Sequence, residues 1–146
     1  MEQTIKIRGA APDDLDNVFA FISHLEETTF DFKTFKERFV LNLENKHCIY
    51  LVAANEYDEA IGFISCKGQY LLHHEGLVFE IQEMYVARNF RDKGIGKMMF
   101  AALEEKLKVI GCASFEVTTN VKRSDARRFY TKLGFVQTHV KFVKGI

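Results

Sequence analysis

The passage from Leu77 to Ile110 constrains this chain most. Period-two hydrophobicity there passes into helical periodicity across a short, basic, glycine-containing segment. Leu77, Phe79 and Ile81 are apolar at odd positions, whereas Met84 and Val86 are apolar at even ones. Side chains alternate faces along a strand, so keeping one face buried through both runs requires one extra residue between them. A β-bulge near Gln82-Glu83-Met84 absorbs that residue and splays the neighbouring backbone. Beyond the glycines, Ile95, Met98, Met99, Ala102, Leu103, Leu107 and Ile110 trace one helical face, and Gly111 stands where a C-cap glycine belongs. A strand feeding an amphipathic helix in this way requires a sheet with helices packed on it.

The rest of the chain supplies the other layers. Thr4–Arg8 alternates as an opening strand, and Pro12-Asp-Asp suits a helix start, where missing amides and the dipole favour it. Leu15, Val18, Phe19, Ile22 and Leu25 predict a first helix, and Phe32, Phe35, Phe39 and Leu43 a second. His47–Ala54 and Ala60–Cys66 read as a hairpin around Asn55-Glu-Tyr-Asp58, with a loop around Gly68 and His73-His74 before the long strand. Ala113–Thr118 is a further strand. A last helix carries Ala126, Phe129, Tyr130 and Leu133, is capped by Ser124 or Asp125 and ends at Gly134, and Val136–Val143 is a closing strand. The predicted order is βααβββαβαβ: an α/β (α+β) chain with a mixed, mostly antiparallel sheet and about four helices. With 146 residues and neither linker nor repeat, residues 1–146 read as one domain.

Composition excludes several classes. Twenty Lys plus Arg balance twenty Asp plus Glu, so the basic surplus of a nucleic-acid binder is lacking. No apolar run approaches the ~20 residues of a membrane span. The start, from Met1 to Arg8, lacks the basic-then-apolar order of a leader. Cys48, Cys66 and Cys112 form no C-x-x-C pair and read as buried thiols of a reducing compartment. The expectation is a cytoplasmic protein with neither nucleic-acid nor membrane partner.

Between the long strand and the strong helix lies Arg88-Asn-Phe-Arg-Asp-Lys-Gly-Ile-Gly-Lys97. Gly94 and Gly96 remove the Cβ atoms that would hold a ligand off the backbone. The amides of the first helical turn have no intrahelical acceptors and sit at the positive dipole end. Arg91, Lys93 and Lys97 add charge around Asp92 and Ile95, and the segment reads as a pyrophosphate cradle. It is neither a P-loop nor the dinucleotide fingerprint, because position 99 is methionine.

Arg91-x-x-Gly94-x-Gly96, after a strand ending Met84-Tyr-Val86, resembles the acetyl-CoA motif of the GNAT N-acetyltransferases. Asn120, Ala126-Arg-Arg-Phe-Tyr130 and Leu133-Gly-Phe135 resemble that superfamily's second motif. Within it, Leu72-His-His74, Glu80-Ile-Gln-Glu83 and Asn120-Val-Lys-Arg-x-Asp-Ala-x-Arg-Phe-Tyr130 look like the aminoalkylphosphonate N-acetyltransferases. The resemblance implies that acetyl-CoA lays its diphosphate on residues 91–97 and its pantetheine arm along Met84, Tyr85 and Val86. It further implies that Asn120 bonds that arm and that Met84 N–H polarises the thioester. Homodimers are frequent among the folds it resembles.

Acetyl transfer to a small primary amine needs a base, because only about one amine in 10³ is unprotonated at pH 7 when its pKa is ~10.4. Glu80 matches the base position of the resembled family, and Glu83 is the alternative, since the bulge obscures which way it faces. Tyr130 matches the tyrosine that protonates or hydrogen-bonds the departing thiolate, and its other reading is a core aromatic with a wet hydroxyl. His73 and His74 read either as divalent-metal ligands helping to hold a phosphonate or as loop histidines. Only one of them, such as His74, would face the site. Lys122 and Arg123 read either as phosphonate partners or as a solvated pair. The rival functions are a GNAT enzyme for another amine (a polyamine, an amino acid or a peptide N-terminus) and an acyl-CoA sensor without turnover.

Overall fold

The structure, a computed structural model, describes residues 4–146. Met1–Gln3, the beginning of the segment read for a leader, lies outside the described residues. Nine main elements follow in order: β1 (Lys6–Gly9), α1 (Leu15–Glu26), α2 (Phe32–Leu43), β2 (Cys48–Ala54), β3 (Ala60–Tyr70), β4 (Leu77–Val86), α3 (Ile95–Ile110), β5 (Ser114–Val117) and α4 (Ser124–Lys132). The strands form one sheet in sequence order, antiparallel from β1 to β4 and parallel between β4 and β5. The parallel pair follows from the α3 crossover, because a parallel neighbour cannot be reached by a tight turn. The result is an α+β fold with a five-stranded mixed sheet and four α-helices.

Alternation along the strands divides the core between the two faces of the sheet. Leu51, Ile64, Phe79 and Ile81 pack with Met99, Leu103 and Leu107 of α3. Val52 and Phe63 pack with Val18 and Ile22 of α1 and Phe39 of α2. The parity slip in β4 resolves as the sequence requires. Ile81 lies opposite Cys66 and Glu83 opposite Ser65, so Gln82 is the extra residue. The bulge returns Met84 and Val86 to the α3 face, against the same cluster as Phe79 and Ile81.

Two expectations are corrected. The loop around Gly68 is strand: β3 runs on to Tyr70, and a Cβ at Gly68 would lie only 2.7 Å from Cζ of Phe79. Glycine there makes room for the ring to lie across the strand. The closing strand over Val136–Val143 does not form, and residues 135–146 carry no regular secondary structure. Gly134 turns the chain at φ 98°, and Phe135 packs back onto Phe100 and Phe115. From Val136 onward the backbone joins no ladder among the described residues, and an alternating segment that pairs with no edge is not a strand.

One buried ion pair ties the N-terminal elements together. Asp14 is 5% exposed and accepts from Arg8 Nη1 and Nη2 at 2.8 and 2.9 Å and from the Ala11 amide at 2.7 Å. Arg8 also donates to Asp58 in the β2–β3 turn. Asp14→Ala is expected to destabilise the fold by about 2 kcal/mol, because it orphans the Ala11 amide and half of a guanidinium while Asp58 is retained. A shift of the urea midpoint at unchanged slope is the check.

Candidate active site

The bulge and the end of β5 open the sheet at one place. The last parallel pair is Ile81 with Val117, and β4 continues to Val86 with no neighbour on that edge among the described residues. α3 begins beside this unpaired stretch. Its N-cap, Gly94, has φ 78°, preceded by Asp92 at φ 61°. No side chain caps the helix, so the first-turn amides are left for a ligand. A Cβ on Gly96 would stand 2.8 Å from Cε of Met84, so the helix start lies close against the Met84 side chain of β4. Ile95 is buried and anchors the turn, while Arg91, Asp92, Lys93 and Lys97 are exposed around it. Arg91 lies over the Tyr85 ring and donates through Nε to the Val86 carbonyl at 2.9 Å.

A cavity of about 120 Å3 occupies the opening. Glu83 and Met84 of β4 form one wall, Tyr130 and Arg123 another, and the α1 C-terminus at Leu25 and Glu26 a third. Arg123 donates to the Leu25 carbonyl at 2.7 Å, fixing the start of α4 against the end of α1. Tyr130 is 9% exposed and directs its hydroxyl to Met84 Sδ at 3.6 Å, a weak acceptor. Burial pushes its phenol up to about 12, with Arg123 opposing. Burial also raises the Glu83 carboxyl above the usual carboxylate range. A hydrogen bond from Ser65 opposes that shift, and the Glu26 charge adds to it. Ser65 in turn accepts from the Glu83 amide at 3.0 Å, holding the bulge in place.

A second cavity, about 310 Å3, lies between α1, α2 and the sheet. Phe35 and Phe39 line it together with Arg38, the Asn42–Tyr50 hydrogen-bonded pair and, again, Glu83. Glu83 is therefore the side chain shared by both cavities.

The structure thus brings together Glu83, Met84, Tyr130 and Arg123, and sets the 91–97 segment beside the same opening. Other candidates lie apart from the cavities. Glu80 lines neither of them; it sits opposite Lys67 and Glu116 and accepts from Gln82. Asn120 uses its Oδ1 to accept from the Lys122 amide at 2.9 Å, shaping the turn before α4. Lys122 is exposed outside both cavities.

The comparisons with known proteins bear on this arrangement. The model of the Acetyltransferase (GNAT) family matches residues 14–135. The chain belongs to the GNAT acetyltransferase family. An aminoalkylphosphonate N-acetyltransferase of Salmonella typhimurium is 36% identical over 141 residues, covering 97% of this chain and 91% of that protein. Among solved structures, one described as a transcriptional regulator from Bacillus halodurans C-125 superposes with a TM-score of 0.88 at 23% identity, covering 98% of this chain and 100% of that one. The aminoglycoside N-acetyltransferase AAC(6')-Iy in complex with CoA superposes at 0.86 with 19% identity, covering 99% and 97%. As a GNAT member the chain is an acetyl-CoA-dependent N-acetyltransferase.

The GNAT frame does not rescue the metal reading. The His73 and His74 rings lie 4.5 Å apart in the β3–β4 turn. Among the described residues no three His, Cys, Asp or Glu side chains converge as a donor set. The donors present do not fit a divalent ion, and no step is derived through one. Sequence reasoning also missed the second cavity. Its signal was present: Thr34, Arg38 and Asn42 recur four residues apart beside Phe35 and Phe39, a polar stripe flanking an apolar one.

Proposed function

We propose that this chain acetylates the amino group of an aminoalkylphosphonate, using Glu83 as base and Tyr130 as donor to the leaving thiolate. The observation that supports this reading is the position of Glu83, a half-buried carboxyl common to the two cavities, which lines the first of them together with Tyr130. The Salmonella relative supports the substrate class. Glu80, the base position favoured by the resemblance, lies outside both cavities, so the role passes to Glu83.

The diphosphate of acetyl-CoA rests on the amides and cations of residues 91–97. Its arm adds alongside the β4 edge that β5 leaves unpaired, as an extended ligand adds to a sheet. Asn120 supplies its amide nitrogen to that arm. Met84 N–H polarises the thioester carbonyl. The ammonium gives one proton to Glu83, which passes it to solvent; the free nitrogen then attacks the carbonyl carbon, and the second proton it sheds goes to the regenerated Glu83 carboxylate. The C–S bond then breaks, its electron pair leaving on sulfur. A phenol near 12 does not surrender its proton fully to a thiol of pKa ~8.5. Tyr130 therefore acts by donating a hydrogen bond to the thiolate as charge develops, and Glu83 returns its proton to solvent. Arg123 in the first cavity and Arg38 in the second are the cations available to the phosphonate.

Thiol release with a panel of amines tests the assignment. An aminoalkylphosphonate is expected to exceed the amino acid of equal length in kcat/KM by at least about tenfold, the worth of one charge-assisted contact. Preference for a polyamine or a peptide N-terminus would replace the substrate, and no release with any amine would remove the catalytic reading.

A further inference from the structure

We propose that Tyr50, oriented by Asn42, is a specificity-determining residue that donates together with Arg38 to the phosphonate of the acceptor in the second cavity. That role rests on Glu83 receiving the amine, as above, and it places the anion in one of the two cavities. Tyr50 stands opposite Ser65 across β2 and β3, and Ser65 opposite Glu83 across β3 and β4. The three form one row on one face of the sheet. Neighbouring strands lie ~4.8 Å apart, which sets the Cα atoms of Tyr50 and Glu83 about 10 Å from each other. Both side chains line the second cavity. An acceptor with its amine at Glu83 therefore carries its other end toward Tyr50.

The hydrogen bonds around Tyr50 leave its proton unused. The phenol oxygen accepts from Asn42 Nδ2 at 2.7 Å, and its own O–H meets no acceptor among the described residues. A hydroxyl held through its oxygen in this way is left to donate to whatever enters the cavity. Burial pushes the Tyr50 phenol above its ordinary value, so it keeps that proton. Arg38 and Asn42 are four residues apart in α2 and share one helix face, which brings the guanidinium to the same wall. Arg38 forms no ion pair among the described residues. Arg123, by contrast, is committed to the Leu25 carbonyl. Asp31, the other carboxylate lining this cavity beside Glu83, is engaged by the amide and hydroxyl of Thr34 at the start of α2, about two turns from Arg38. A phosphonate presents three oxygens, enough for the guanidinium fork and a phenol at once. Phe39 and Phe63 line the same cavity and offer an apolar surface to the methylenes between the two ends.

The test is steady-state kinetics on a matched pair of substrates, an aminoalkylphosphonate and the alkylamine of equal length without the anion. The quantity read is the ratio of their kcat/KM values. Tyr50→Phe is expected to lower that ratio by at least about tenfold, through KM for the phosphonate. The ring keeps its packing on Phe39 and Phe63, at centroid distances of 5.9 and 5.3 Å, so the unfolding midpoint stays near the parent's. Arg38→Met is expected to lower the ratio at least as far, and Asn42→Leu, which frees the phenol to turn, by less than either. A loss in Tyr50→Phe shared equally by both substrates signifies a structural role and overturns the proposal. A ratio that survives Tyr50→Phe and Arg38→Met also overturns it, since the anion then lies on another wall while the acceptor assignment stands. A parent enzyme with no preference for the phosphonate overturns both.

Discussion

Tyr130→Phe is expected to lower kcat by about 100-fold while changing acetyl-CoA affinity by less than about twofold. The ring is held by aromatic neighbours that the substitution leaves in place. Phe129 and Phe135 lie at centroid distances of 5.4 and 5.7 Å. The hydroxyl contributes only a weak contact to Met84 Sδ, so its removal costs the fold little and the unfolding midpoint stays near that of the parent. On the proposed mechanism what disappears is a donor to the thiolate, an interaction that matters only as charge develops on sulfur, and such losses fall on kcat. Because burial holds the phenol near 12, the parent enzyme keeps this donor across neutral and moderately alkaline pH. Steady-state kinetics with calorimetric binding of acetyl-CoA is the check. A tenfold loss of affinity, or an unchanged kcat, would return Tyr130 to the role of a core aromatic.

Glu83→Gln separates catalysis from stability in opposite directions. The rate at pH 7 is expected to fall by about 10²- to 10³-fold, and the deficit to narrow toward alkaline pH, where the amine is increasingly unprotonated by itself. In the parent, the acid limb of kcat/KM is expected above the ordinary carboxylate range, because burial raises the pKa of the Glu83 carboxyl. Stability moves the other way. A carboxyl whose pKa is higher folded than unfolded binds its proton more tightly in the native state. Its contribution is complete below the unfolded pKa and is lost as pH rises through the folded one. Glutamine carries no charge to desolvate, so the variant should unfold at or above the parent's midpoint at pH 7 to 8, and no advantage should remain at pH 4. Thermal melts at both pH values beside the rate profile are the measurement. A variant that loses activity and stability together at pH 7 would make Glu83 a structural brace of the bulge.

How much of this was legible beforehand depends on the range of the interactions involved. The bulge in β4 could be read from parity because facing along a strand is a local property with period two. The reading of an anion cradle was equally local, resting on Gly94, Gly96, Arg91, Lys93 and Lys97 within one loop. Choosing between Glu80 and Glu83 was not possible, because it depends on which residue the bulge leaves over. With Gln82 as the extra residue, Glu80 stays between Lys67 and Glu116 while Glu83 moves under the end of α1. The histidine pair shows the converse: adjacent ligand-type residues make a donor set only if other elements bring a third, and here none does among the described residues. Val136–Val143 has every local property of a strand and lacks only a partner, which sequence patterning does not supply.

The sequence by itself determined the layered α+β architecture, the split in the fourth strand and the glycine-containing start of α3, because each follows from periodicity or from residues within one turn of each other. Tertiary structure alone decided which carboxyl lines both cavities, which arginines reach them and which edge of the sheet is unpaired among the described residues. Those outcomes depend on helices α1, α2 and α4 meeting strands distant in sequence, and burial, pKa and cavity shape are properties of that meeting rather than of any one segment.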